Sequence, residues 1–154
     1  MDIENPYVGP RTFTSQQKDL FFGREGEARD LRSLVMAERL VLFYAQSGAG
    51  KSSLINARLV PQLIDAGFVV LPIGRVGGEL PDGISQVDNV FVFNLMLKLD
   101  QSGEDPGRFT RMRLADFLAN LASEDGQHFF YTPVSAGADQ EDGYTEPPHV
   151  LIID

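Results

Sequence analysis

Leu40-Val41-Leu42-Phe43-Tyr44-Ala45-Gln46-Ser47-Gly48-Ala49-Gly50-Lys51-Ser52-Ser53 is the stretch that decides the fold. Its first five residues are apolar and β-prone, which suits a strand buried on both faces. Its middle is small and glycine-rich, and Lys51 to Val60 reads as a helix, with Pro61 marking its end or a kink. Strand, glycine turn and helix in that order make a phosphate cradle, the P-loop. Gly48 and Gly50 let the main chain turn tightly and bring its N–H groups up to an anion. Lys51 reaches the β- and γ-phosphates of a nucleotide, and the Ser52 hydroxyl is a ligand for Mg²⁺. The following helix turns its positive N-terminal end toward the same charge. Ala45 stands where the strict pattern has glycine. The bland reading is a glycine turn with an exposed lysine; the strand before it and the helix after it argue against that. The candidate nucleotide-binding set is Ala45, Gln46, Ser47, Gly48, Ala49, Gly50, Lys51, Ser52 and Ser53.

Working outward, residues 1–20 are polar and turn-rich, with Pro6 and Pro10. Residues 26–37 read as a helix with Ala28, Leu31, Leu34 and Val35 on one face. Gly67 precedes a second apolar run, Phe68-Val69-Val70-Leu71, closed by Pro72. Residues 74–87 are a glycine- and proline-rich loop, after which Asp88 or Asn89 caps the next element. Val90 to Leu99 is apolar almost all round. Its first four residues suit a strand, but the length of the run favours a buried helix. Leu114, Phe117, Leu118 and Leu121 mark one helix face. Residues 124–148 read as a long loop, and Val150-Leu151-Ile152-Ile153-Asp154 as a buried strand ending in an aspartate. The alternation of strands and helices predicts an α/β fold with a parallel sheet. No internal repeat is visible.

Composition bounds the function. The formal net charge of −9 argues against a broad nucleic-acid surface, which needs clustered Lys and Arg. With no cysteine there is neither a disulfide nor thiolate chemistry. No stretch approaches the roughly 18 apolar residues of a membrane span, and the acidic start, Met1-Asp2-Ile3-Glu4, lacks an apolar signal region. A cytoplasmic protein without membrane or direct nucleic-acid partners is the expectation.

Two further constellations bear on chemistry. Alone, Asp154 is a strand ending in a turn aspartate. Downstream of a P-loop, the same position is where such proteins hold magnesium, which makes Asp154 a candidate catalytic and metal residue beside Lys51 and Ser52. From physics alone Phe21-Phe22-Gly23-Arg24-Glu25-Gly26-Glu27 is a turn followed by acidic residues that complement a helix N-terminus. His128 and His149 have no partner spacing for zinc, and Asp139, Glu141 and Asp142 read as a solvated acidic loop.

Taken together, Asn5-Pro6-Tyr7-Val8-Gly9-Pro10-Arg11-Thr12-Phe13, then Leu20-Phe21-Phe22-Gly23-Arg24-Glu25, then the P-loop running on through Ser53-Leu54-Ile55-Asn56-Ala57, resemble the start of the bacterial novel STAND NTPase 1 domain. Val70-Leu71-Pro72 and Asn94-Leu95 add to the likeness, which covers nearly the whole chain. The resemblance implies an AAA+-like, three-layer α/β/α P-loop NTPase: residues 1–25 as an N-terminal segment and 26–154 as a partial nucleotide-binding core. It implies a signalling switch that binds ATP or ADP with Mg²⁺, homo-oligomerises on ATP and is followed by WD40 or TPR sensor repeats. By the same carry-over Phe22, Gly23, Arg24 and Glu25 lie near the adenine. Against the family pattern the chain stops at Asp154, before the residues that activate water and before a strand that would sit between 40–45 and 150–154. The expectation is therefore a fragment with an incomplete sheet, no fused N-terminal effector and poor hydrolysis.

Two other readings compete. Gly50-Lys51-Ser52-Ser53-Leu54-Ile55-Asn56 also suits a P-loop GTPase, although no Asn-Lys-x-Asp guanine motif is present and the spacing from Lys51 to Asp154 is long. A non-catalytic remnant acting as an interaction module would share the motifs and lack nucleotide-dependent stabilisation.

Overall fold

The computed structural model describes residues 12, 13, 16, 23–133 and 147–154, in two compact units, Met1–Phe68 and Val69–Asp154. The Asn-Pro-Tyr block up to Arg11, Phe22 and the acidic loop at 139–142 lie outside the described residues.

In the first unit, α1 (Glu25–Ala37) buries Ala28 and Leu31, three apart on one face. It packs on a helix that starts at Lys51. That helix runs as α2 (Lys51–Leu54), through a π-helical stretch (Ile55–Leu59), into α3 (Val60–Asp65). Leu54, Ile55, Ala57, Leu59 and Leu63 are buried along it. Pro61 therefore does not end the helix. Proline lacks an N–H, and its ring clashes with the carbonyl four residues back. Just ahead of it the ladder slips by one residue, with the Val60 N–H donating to the Ile55 carbonyl, and the widened turn takes the proline in. The helix closes where glycine was expected to break it: the Gly67 N–H donates to Ile64 O at 2.9 Å and the Phe68 N–H to Leu63 O at 3.0 Å.

The expected buried strand at 40–44 forms no ladder among the described residues. Leu40, Leu42 and Tyr44 are 90%, 83% and 82% exposed, while Val41 and Phe43 between them are half-buried. An apolar strand is buried on both faces only when neighbours pair with its edges, and no described strand does so here.

The second unit is a mixture of helices and short strands around one core. β1 (Val69–Val70) runs parallel to β4 (His149–Val150), and a parallel bridge joins Gly74 to Ile153. This small parallel pair is the α/β element that the sequence pattern called for. The apolar run at 90 is a helix, α4 (Val90–Leu99), and Asn89 is its cap: the side chain accepts from the N–H groups of Phe91 and Val92 at 3.0 and 3.1 Å. Phe93, Leu95, Met96 and Leu99 join Leu71, Phe109, Phe117 and Phe129 in the core. Asn94 is buried too, and its amide donates to Val76 O and Gly78 O, which pins the preceding loop to the helix.

α5 (Leu114–Ala119) stops before Leu121. Asn120 turns its side chain back to Asp116 O at 2.7 Å, a bond that competes with continued helix. Leu121–Ala122 (β2) then pairs antiparallel with Phe130–Tyr131 (β3), inside the region read as a loop. Phe109, Phe117 and Tyr131 form an aromatic triangle, with Phe117 stacked on Tyr131 at 5.6 Å and Phe109 edge-on to both.

Asp100 ties that triangle to the end of α4. Its carboxylate, 5% exposed, accepts from the Tyr131 N–H at 2.9 Å, the Ser102 hydroxyl at 2.7 Å and the Arg108 guanidinium at 2.6 Å. Arg108 in turn lies over the rings of Phe109 and Tyr131. Burial pushes the Asp100 carboxyl up, but the Tyr131 amide, the Ser102 hydroxyl and Arg108 outweigh it and hold the group below the usual carboxylate range. The folded value is the lower one, so this carboxylate stabilises the fold above an unfolded pKa of about 4 and stops doing so as pH falls through the folded value. Asp100→Asn, which leaves Arg108 with Glu104 as its remaining carboxylate partner, is expected to cost roughly 1–3 kcal/mol in urea unfolding at neutral pH. Between about pH 6 and about pH 3 the wild-type chain should lose more stability than the variant; parallel losses would remove Asp100 as the cause.

Candidate phosphate-binding site

Residues 45–50 bend the chain into the first turn of α2, as the motif requires. The Ala49 N–H donates to Gln46 O at 3.2 Å and closes the bend. Gly48 and Gly50 sit at φ 79° and 75°, left-handed values that a side chain makes costly. Among the described residues no atom lies within 4 Å of where a Gly48 Cβ would be, so that side of the loop is open to them. Gly50 is the residue before the helix, and its carbonyl accepts the Leu54 N–H at 2.9 Å.

Lys51 folds back along the loop. Its ammonium donates to Ala45 O at 3.0 Å and to Gln46 O at 3.3 Å. No carboxylate pairs with it among the described residues. Carbonyl oxygens are weaker acceptors than charged ones, so an arriving phosphate competes well for this cation. Ser52 is half-buried, and its carbonyl accepts from Asn56 at 2.7 Å. Ser53 faces inward, with its hydroxyl accepting the Phe13 N–H at 3.2 Å. The Phe13 bond ties the chain after the Asn-Pro-Tyr block to the helix below the loop. Ala45, Gln46, Ser47, Gly48 and Ala49 are exposed.

The Gly23-Arg24-Glu25 turn reaches the same loop. Arg24 donates from Nη1 to Ala49 O at 2.7 Å, and its Nε and Nη2 grip the Glu27 carboxylate. Glu25 pairs with Arg58 on the π-helical stretch at 3.2 Å. Its carboxyl is held below the usual range by its own main-chain N–H and by that of Gly23, with Arg58 adding and burial opposing. The structure thus brings Arg24, Ala49, Gly50 and Lys51 together in the first unit. Asp154 belongs to the second, where its N–H donates to Gly74 O at 3.0 Å beside the parallel pair. The Arg24–Ala49 contact has no sequence signal, because nothing in the spacing pairs a side chain with a main-chain oxygen 25 residues on.

A Cβ at Gly50 would meet Arg24 Nη1 at 3.2 Å. Gly48→Ala should therefore cost only the left-handed penalty, about 1–2 kcal/mol. Gly50→Ala should cost more, since it also displaces the guanidinium. Thermal unfolding of the two variants side by side checks the order; equal losses would mean that Arg24 yields without cost.

The family model of Novel STAND NTPase 1 matches residues 6–130, a span that contains the Gly23-Arg24 turn, the P-loop and α4. No curated protein and no solved structure matches the chain. The family match covers far more than half of the 154 residues, and the chain belongs to the novel STAND NTPase 1 family.

Proposed function

We propose that this chain is the nucleotide-binding module of a STAND signalling switch, taking Mg-ATP or Mg-ADP through residues 45–53. The observation that carries the reading is Lys51: an ammonium held only by loop carbonyls among the described residues, at the mouth of an open turn with two left-handed glycines. Each part has a role. The loop's main-chain N–H groups would bind phosphate oxygens, and Lys51 would exchange its carbonyl partners for the β- and γ-phosphates. The continuous helix behind the loop adds a favourable dipole.

The same reading assigns two residues to magnesium. The Ser52 hydroxyl would be its direct ligand, and Asp154, at the end of the parallel-paired segment, its second and water-mediated partner. Bound magnesium would neutralise charge on the phosphates. The parallel pairing of β1 with β4 is in keeping with an α/β fold; the reading takes that fold as the three-layer α/β/α P-loop architecture, with residues 1–25 as a lead-in segment and 26–154 as the core. Gly23 and Phe22 are assigned to the adenine end. ATP-dependent self-association and coupling to WD40 or TPR sensor repeats belong to the same reading, as expectations for the protein in which this module works.

Thermal unfolding of the purified chain tests it. At a hundredfold excess over Kd a ligand that binds only the folded state adds about 2.7 kcal/mol. Mg-ATP and Mg-ADP should raise the melting temperature, and Lys51→Ala should abolish the shift. A larger shift with Mg-GTP would move the assignment to a GTPase. No shift with any nucleotide would leave an inactive remnant and overturn the proposal.

A further inference from the structure

The geometry points to Arg24 as a positioning residue for the P-loop, acting at the phosphate end of the nucleotide and not on its base. This rests on the reading of residues 45–53 as a nucleotide site.

The argument begins with the Ala49–Gly50 peptide. A trans peptide unit is planar, with its C=O and N–H on opposite sides. Arg24 Nη1 holds the Ala49 oxygen at 2.7 Å. The Gly50 N–H, which belongs to the same peptide plane, is thereby turned to the other side. In a loop with left-handed glycines at 48 and 50, rotation of such a plane meets little steric resistance. A fixed donor is worth more to an anion than one that must be reoriented on binding. The clamp supplies that fixation.

Arg24 is itself held in place from two sides. Its Nε and Nη2 engage Glu27 one turn along α1. The helix α1 is in turn anchored to the helix behind the P-loop, by burial of Ala28 and Leu31 and by the Glu25–Arg58 pair. The guanidinium therefore moves with the helix that carries Lys51. The absent side chain at Gly50 leaves the room it occupies, since a Cβ there would stand 3.2 Å from Nη1. A planar fork can hold a carboxylate and a carbonyl at once; an ammonium on a flexible stem loses that shared geometry.

The test compares wild-type chain with Arg24→Ala, Arg24→Lys and Glu27→Gln by two readouts. The first is amide hydrogen exchange across residues 46–51 without nucleotide. The second is affinity for Mg-ATP, Mg-GTP and tripolyphosphate, with Lys51→Ala as the control for the site itself. Arg24→Ala should speed loop exchange and weaken ATP, GTP and tripolyphosphate alike, by about tenfold, the equivalent of ~1.4 kcal/mol. Arg24→Lys and Glu27→Gln should fall between it and wild type. If Arg24→Ala instead changes the ATP-to-GTP preference and leaves tripolyphosphate binding intact, the arginine reads the base and the inference fails. Unchanged exchange and affinity in Arg24→Ala, with Lys51→Ala still abolishing binding, would overturn the inference alone. A wild-type chain that binds neither nucleotide nor tripolyphosphate would overturn it together with the nucleotide-site reading.

Discussion

Burial of Leu54, Ala57, Leu59 and Leu63 along the helix that follows the P-loop, with α1 packed on that helix and burying Ala28 and Leu31, is the interaction on which the candidate site depends. Glycine turns have no stiffness of their own. Here the turn is fixed at one end by the first residue of a helix and gripped in its middle by a side chain from the helix beside it. The apolar contact sets the spacing between the two helices, and the polar contacts of Arg24 and Glu25 act only because that spacing is already set. Apolar burial supplies the energy, and directional bonds supply the orientation.

The second unit repeats that division of labour. Eight buried apolar residues form its core, while Asn94 and Asp100 fix what the core leaves undetermined. Asn94 chooses the path of the loop before α4. Asp100 chooses where β3 returns, because a buried carboxylate must find donors and the Tyr131 N–H is one of them. Arg108 closes the arrangement by spreading its charge over two aromatic faces.

Much of the local structure was legible in the sequence. The 3.6-residue spacing of Ala28, Leu31 and Leu34 marked α1. The length of the run from Val90 outweighed its β-prone residues, and Asn89 sat where a cap belongs. The bend at 45–50 and the helix start at Lys51 were readable because only small residues fit the one and nothing interrupts the other. What was not legible is whatever depends on partners far along the chain. The slip of the ladder ahead of Pro61 follows from packing that favours a continuous helix over the proline rule. The β2–β3 pair arises because Phe129 and Tyr131 are drawn to the core, a pull that loop composition conceals. The grip of Arg24 on a main-chain oxygen could come only from coordinates. The apolar run at 40–44 is not a buried strand, since burial there depends on edges that no described strand supplies.

That run has a consequence for the behaviour of the molecule in bulk. Leu40, Leu42 and Tyr44 are exposed at every second position of a segment without a ladder partner among the described residues. Alternating apolar side chains beside open main-chain donors and acceptors are a template for intermolecular cross-β association. The flanking residues are Glu38 and Arg39 before the run and Gln46 and Ser47 after it, so charge guards one end alone. An exposed apolar stripe attracts at contact, whereas the long-range repulsion that a net charge of −9 supplies is screened within about 10 Å at ordinary salt.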